Sequence, residues 1–109
     1  MQILDNYRRI KVPVHHDRIT CGVFDEIRKR DLQALDDAID AFRKFSDGNY
    51  GELEDSDLAA NKRALESESG MVMGVYFLGT ENPLKVWIIQ DDASEKDIKH
   101  YTMLLPEEY

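Results

Sequence analysis

The chain has 109 residues, of which 42% are hydrophobic and 33% are charged, and its formal net charge is −8. These values are typical of a globular chain with one core, so we expect residues 1–109 to form a single domain. The single cysteine excludes an intramolecular disulfide, no stretch approaches the roughly 20 apolar residues of a membrane span, and the first residues lack a signal peptide's apolar core. We therefore expect a cytoplasmic protein that does not contact a membrane.

The negative charge is concentrated after residue 30. Residues 1–30 carry seven Lys/Arg against four Asp/Glu, whereas residues 31–109 carry seven against eighteen. An acidic surface repels phosphate groups, which disfavours direct binding of DNA or RNA. Two interpretations stay open: the charge only keeps the protein in solution, or it competes with nucleic acid for a basic groove on another protein.

The first third of the chain predicts two short strands. Residues 10–14 alternate apolar and polar side chains, but Pro13 has no backbone donor, so this strand is expected at a sheet edge. Residues 18–24, RITCGVF, alternate in the same way and predict a strand in which Cys21 is a small buried side chain. Residues 24–30 are expected to form a lead-in turn or an earlier start of the helix that follows.

An amphipathic helix is predicted from Asp31, a plausible N-cap, to Gly48, which stands where a left-handed residue would end it. Apolar side chains recur at three- and four-residue steps, which predicts that they face the core. These residues are Leu32, Leu35, Ile39, Phe42 and, at the last position, Phe45 or Ser46.

A second, shorter helix is predicted to run to about residue 66, after the turn-rich segment SDGNYGELEDSD. Asp55 or Ser56 is expected to cap its start, and Gly70 follows its end. One side of this helix is predicted to face inward, and it comprises Leu58, Asn61 and Leu65.

The last third predicts three strands, MVMGVYFL, VWII and YTMLL, joined by loops into an antiparallel meander. With two helices on one face, the predicted fold is an α+β two-layer sandwich with an antiparallel sheet of three to five strands. Pro106 stops strand pairing. The final residues, Glu107, Glu108 and Tyr109, are expected to form a short acidic cap, with a recognition tag as the alternative.

The groups that could carry chemistry do not form a catalytic or metal-binding set. The His-His-Asp run at residues 15–17 lies on a predicted strand, where neighbours point to opposite faces, so no metal site is predicted. Cys21 lacks an oxyanion-hole signature beside it. The acidic pairs at residues 36–37 and 91–92 are assigned to a helix surface and a turn. We therefore expect no enzymatic activity, no metal and no cofactor.

Three segments, DGNYGELEDSDLAANKRALESESGMVMGVY, LKVWIIQDD and YTMLLPEEY, resemble a family of small proteins encoded on phages, plasmids and integrative elements. RITCGVFDEI is similar to the opening of related domains, so the resemblance covers residues 18–27 and 46–109. Tyr50 stands where that family usually has tryptophan. The resemblance implies a small α+β fold and an origin on a mobile element, and it brings no activity and no catalytic residues. Asn61 matches the family's asparagine and is predicted to be a buried residue that fixes the GNYGEL loop.

Two functions from different classes are compatible with these features. The first is an accessory protein that binds another protein, in its sharper form a counter-defence inhibitor of a nucleic-acid-handling protein, of the anti-CRISPR or anti-restriction type. The second is a small-ligand or enzymatic module centred on the GNYGEL loop, at Tyr50, Glu52 and Asn61. A homodimer is also left open. The acidic surface of the first hypothesis comprises Asp36, Asp37, Asp40, Asp47, Glu52, Glu54, Asp55 and Asp57.

Overall fold

The structure is a computed structural model that describes residues 14–109, so the part of the first predicted strand before Val14 lies outside the described residues. The described part of the chain has four strands and three α-helices and confirms the predicted α+β class. The strands are β1 (Val14–Ile19), β2 (Val72–Leu78), β3 (Leu84–Gln90) and β4 (Ile98–Leu104). The helices are α1 (Cys21–Arg28), α2 (Leu32–Ser46), α3 (Asp55–Ser67) and a final 3-10 helix, Pro106–Glu108.

The sheet has the strand order β1-β4-β3-β2. β2, β3 and β4 form the antiparallel meander that the sequence predicts. β1, however, pairs with β4 in parallel, so the sheet is mixed rather than wholly antiparallel. Parallel neighbours need a crossover connection, and here the segment that contains all three α-helices and the β2–β3 hairpin provides it. β1 and β2 are therefore the two edges of the sheet.

The prediction of a second strand over RITCGVF is wrong, because β1 ends at Ile19 within this segment and α1 begins at Cys21. Thr20 is the N-cap of α1, and its hydroxyl oxygen accepts a hydrogen bond from the Val23 N–H at 3.2 Å. Val23 and Ile27, one helical turn apart, are the buried residues of α1. Cys21 is the first residue of this helix and is exposed, not buried in a strand.

α2 has the predicted bounds, with Asp31 at the N-cap position and Gly48 after its end at a φ of 83°. The residues of α2 that face the core, however, are mostly small ones. Phe42 and Phe45 are buried as predicted, whereas Leu32, Leu35 and Ile39 are exposed by 78%, 45% and 55%. The other buried side chains of α2 are Ala34, Ala38 and Ala41.

The width of the apolar arc of α2 explains this difference. The alanines, phenylalanines and large aliphatic residues together cover about half of the helix circumference at 100° per residue. Periodicity shows that such an arc exists but does not show which part of it contacts the sheet. The alanine side allows the helix to lie close to the strands, and the leucine and isoleucine side then projects past the contact.

One face of the sheet carries the main core, and all three helices, rather than the predicted two, contribute to it. Alternate residues of β2, β3 and β4 point to this face, as the two-residue period of a strand requires. The strand residues of this core are Val72, Tyr76, Leu78, Leu84, Val86, Ile88, Tyr101 and Met103, and the helix residues include Val23, Ile27, Ala34, Phe45 and Ala64.

The end of the chain is attached to the rest of the structure through Glu108 and Tyr109. The Glu108 carboxylate accepts hydrogen bonds from the Thr20 hydroxyl and from the Leu105 N–H, both at 2.7 Å. A Cβ added to Gly22 would lie 2.7 Å from the same carboxylate, so the glycine leaves room for it. The Tyr109 ring meets Trp87 edge-on at 5.6 Å. Glu108 and Tyr109 thus have structural partners, which argues against a free recognition tag.

Replacement of Glu108 by alanine should lower the free energy of unfolding by about 1 kcal/mol, because two hydrogen bonds to a charged but solvent-accessible acceptor are lost. Urea unfolding followed by far-UV circular dichroism measures this change. Glu107→Ala is the matched control: within residues 14–109 its side chain has no bonding partner, and we expect a change below about 0.5 kcal/mol. Equal losses in the two variants would contradict the assigned role of Glu108.

Candidate functional site

The outer edge of β2 is covered over part of its length by two other elements. Met73 donates its N–H to the Asn61 side-chain oxygen at 3.0 Å, and its carbonyl accepts from the Asn61 amide nitrogen at 2.7 Å. Two residues further on, Val75 donates to the Tyr50 carbonyl at 3.0 Å and accepts from the Glu52 N–H at 2.8 Å. An asparagine side chain and a loop therefore replace the neighbouring strand that this edge lacks.

The loop between α2 and α3 lies against β2 because of a glycine and a tyrosine. Gly51 has a φ of 69°, and a Cβ at this position would lie 2.0 Å from the Val75 carbonyl oxygen, so only glycine permits this approach. The Tyr76 hydroxyl donates a hydrogen bond to the Asn49 carbonyl at 2.6 Å, and burial raises the pKa of the Tyr76 phenol. The Asn49 side chain accepts from the Gly51 N–H at 3.1 Å.

Beyond Val75 the edge of β2 is open, and a cleft of about 350 Å³ lies there between α2 and the loop. By the alternation of the strand, Phe77 is the next residue with outward backbone groups, and within residues 14–109 these groups have no partner. Past Phe77 the Gly79 N–H donates to the Asp37 carboxylate at 2.8 Å. The cleft is lined by Asp37, Asp40, Ala41, Lys44, Asn49, Gly51, Glu52, Val75, Tyr76 and Phe77.

Three carboxylates and one ammonium group determine the charge of the cleft. Asp40 accepts ion pairs from Lys44 at 3.2 Å and from Arg43 at 3.8 Å, both on the same helix. Asp37 is bound by Gly79, as described above. The Glu52 side chain is exposed and has no hydrogen-bond or ion-pair partner in the described part of the chain. The cleft therefore has an acidic balance and one carboxylate free to meet a cation.

The eight acidic residues predicted as one surface fall into separate groups. Only Asp37, Asp40 and Glu52 line the cleft. Asp55 and Asp57 lie in the first turn of α3, where a negative charge stabilises the helix macrodipole, so their presence has a structural explanation. The remaining three carry exposed side chains on the outer side of α2, at its end and at the α3 N-cap, and they are Asp36, Asp47 and Glu54.

The alternative site at Tyr50, Glu52 and Asn61 is not formed as one cluster. Tyr50 packs edge-on against Phe45 with the ring centroids 5.5 Å apart, and burial raises the pKa of its phenol. Asn61 is buried, as predicted, but it binds β2 at Met73 rather than the GNYGEL loop. Glu52 alone of the three lines the cleft.

The adjacent histidines point to opposite faces of β1, as the sequence predicts. His15 stacks on Tyr101 at 5.0 Å, whereas His16 meets His100 edge-on at 5.4 Å. The His100 backbone N–H and its ring both bond to the Glu95 carboxylate. These hydrogen bonds hold the pKa of Glu95 below its ordinary range. In the described range 14–109, no three His, Cys, Asp or Glu side chains are grouped as a metal site would require.

Several residues of the cleft have no signal in the sequence. In the sequence, Lys44 is explained as a cation in the last turn of α2. Phe77 lies in an apolar segment that predicts a buried strand, although its side chain is 48% exposed in the structure. Asn49 and Gly51 belong to a turn-rich segment whose contact with β2 is a long-range feature. The two glycines of GNYG are the sequence feature that could have indicated this contact, because glycine permits a close approach of one backbone segment to another.

Comparison of the chain with protein-family models, curated proteins and solved structures finds no match. The resemblance to proteins of mobile elements therefore stays a prediction from the quoted sequence segments. No helix among residues 14–109 has the length and apolar character needed to cross a membrane.

Asn61→Ala should destabilise the protein by about 2 kcal/mol, because it leaves the Met73 N–H and carbonyl without partners in a half-buried position. The amide protons of β2 should also exchange faster with solvent. Chemical unfolding and hydrogen–deuterium exchange measure the two effects. Lys62→Ala, at the neighbouring exposed position of α3, is the control and should leave both nearly unchanged. Unaltered exchange at Met73 in the Asn61 variant would contradict the assigned bonds.

Proposed function

We propose that this protein acts in the cytoplasm by binding another protein, and that a basic segment of the partner enters the cleft beside β2. The observation that carries this proposal is the coincidence of an open strand edge with an acidic lining. Phe77 offers an unpaired N–H and carbonyl, as exposed edges do when they accept a peptide. Asp40 and Glu52 flank the same opening. The proposal needs no catalytic residue and no cofactor.

The charge of the cleft selects a partner segment that carries lysine or arginine. Arginine suits it best, because a guanidinium group can bond a carboxylate with two parallel donors and still donate to a carbonyl. The excess of Asp and Glu over Lys and Arg in residues 31–109, eighteen against seven, extends this preference beyond the cleft and would steer a basic partner toward this part of the protein. Binding of this kind is weakened by salt, since exposed charges are screened.

In its sharper form the proposal names the partner's class: a protein that handles nucleic acid and whose basic groove is occupied by the acidic surface. Asp47 and Glu54 support it, because within residues 14–109 their exposed side chains have no bonding partner and are available to basic side chains. A protein that mimics phosphate would act as an inhibitor in counter-defence. The resemblance to proteins of mobile elements favours this form over a housekeeping interaction.

A small-ligand site is the second candidate, because the cleft is concave and its volume of about 350 Å³ is near the lower end of ligand pockets. A ligand for it would be a small cation with a hydrogen-bonding group. Tyr50 and Asn61, which this hypothesis includes, have structural roles instead, and so the protein-binding proposal is preferred.

Affinity capture from a lysate of the source cells, at low and high sodium chloride concentrations, tests the proposal. The unaltered protein should retain one protein at low salt and release it at high salt, and mass spectrometry identifies it. The double variant Asp40→Asn/Glu52→Gln should bind this protein about tenfold more weakly, because two ionic contacts are lost.

The double variant Asp91→Asn/Glu107→Gln is the matched control. It removes the same two types of charge at exposed positions away from the cleft, and it should bind nearly as well as the unaltered protein. Equal weakening in the two variants would assign the effect to net charge and overturn the cleft as the site. A blank at both salt concentrations would overturn the protein-binding proposal and leave the small-cation hypothesis for a ligand screen.

A further inference from the structure

We propose that α2 also pairs with α2 of a second copy of this chain, in antiparallel orientation, through the stripe of Leu32, Leu35 and Ile39. This inference goes beyond the proposed function and does not depend on it. The three side chains are spaced at i, i+3 and i+7, so they lie along one side of the helix and form a continuous apolar surface. Single exposed leucines are common, whereas an aligned row of three marks a contact surface.

The charges beside the stripe are complementary to those of a second copy, and this favours a second copy as the occupant. Asp36 and Arg43 are both exposed and seven residues apart, which places them two turns apart on the same side of α2. In an antiparallel pair centred near Ile39, Asp36 of each copy lies beside Arg43 of the other, so the symmetric contact has two ion pairs. In a parallel symmetric pair the same flank of the two helices lies on opposite sides of the contact, so Asp36 and Arg43 of one copy would not meet those of the other.

Arg43 is available for this contact. Its guanidinium is 3.8 Å from the Asp40 carboxylate, but Lys44 lies closer to that carboxylate, at 3.2 Å. Arg43 can therefore turn toward a second copy without leaving Asp40 unpaired. Its side chain is 71% exposed, so little packing is lost by this movement.

The stripe and the cleft lie on different flanks of α2. Asp37, Asp40 and Lys44 face the edge of β2, about 100–200° around the helix from Leu35 and Ile39. A dimer would therefore leave both clefts open, and the two copies could bind a partner that presents two basic segments.

The size of the contact limits its strength. α2 has 15 residues, or about four turns, and a single helix–helix contact of this length buries less than the roughly 800 Å² per partner of a standard interface. We therefore expect a concentration-dependent dimer with a dissociation constant in the micromolar range.

Sedimentation velocity over a concentration series from about 1 to several hundred micromolar tests this inference, and the unaltered protein should shift from monomer to dimer. Ile39→Asp should raise the dissociation constant at least about tenfold, because it buries a charge in the contact. Leu65→Asp on α3 is the control with a similarly exposed leucine, 42% against 55%, and should dimerise normally. Far-UV circular dichroism verifies the fold of each variant.

A charge exchange tests the antiparallel orientation. Asp36→Arg alone should weaken the dimer several-fold, because it faces Arg43 of the other copy, and Arg43→Asp should do the same. The double variant Asp36→Arg/Arg43→Asp restores opposite charges in an antiparallel pair and should return the dissociation constant to within about threefold of the original. A monomer at every concentration, or a double variant as weak as the single ones, would overturn the inference.

Discussion

The outer edge of β2 is the constraint from which the candidate site follows. An edge strand presents backbone donors and acceptors that are costly when buried without partners and that invite other strands when exposed. Here Asn61 covers the groups of Met73, and the loop at Tyr50 and Glu52 covers those of Val75. The covering pieces come from different elements, so they do not form a continuous strand. The cleft is the gap that remains at Phe77.

The ends of the described chain are bound to each other by a second set of contacts. β1 lies parallel to β4, and the Thr20 hydroxyl bonds to Glu108, 88 residues further along. The same threonine caps α1, so one residue ends a strand, begins a helix and holds the C-terminal segment. These contacts are non-local, so the chain has to close a long loop to form them.

This distinction separates what the sequence predicts from what it does not. The bounds of α2, the presence of α3 and the meander of β2, β3 and β4 depend on local periodicity and capping, and they agree with the structure. RITCGVF fits a strand as well as a strand followed by a helix, because seven residues are too few for the alternation to separate the two. The bond of Thr20 to Glu108 accompanies the change from strand to helix and joins residues far apart in sequence. The parallel pairing of β1 is hidden for the same reason.

The candidate site was only partly predictable. Acidic residues of α2 and of the loop were expected to form a surface, and Asp37, Asp40 and Glu52 do come together. Their grouping depends on which side of α2 faces β2. The apolar arc of this helix is too wide for the sequence to show which of its sides contacts the sheet. Because alanines rather than leucines contact the sheet, α2 presents an acidic flank to the cleft and an apolar stripe to solvent. The two proposed interactions are expected to differ in their dependence on salt. Screening should strongly weaken an ionic contact at Asp40 and Glu52, whereas a pairing of two α2 helices gains most of its free energy from burial of Leu35 and Ile39 and loses only the contribution of its Asp36–Arg43 ion pairs.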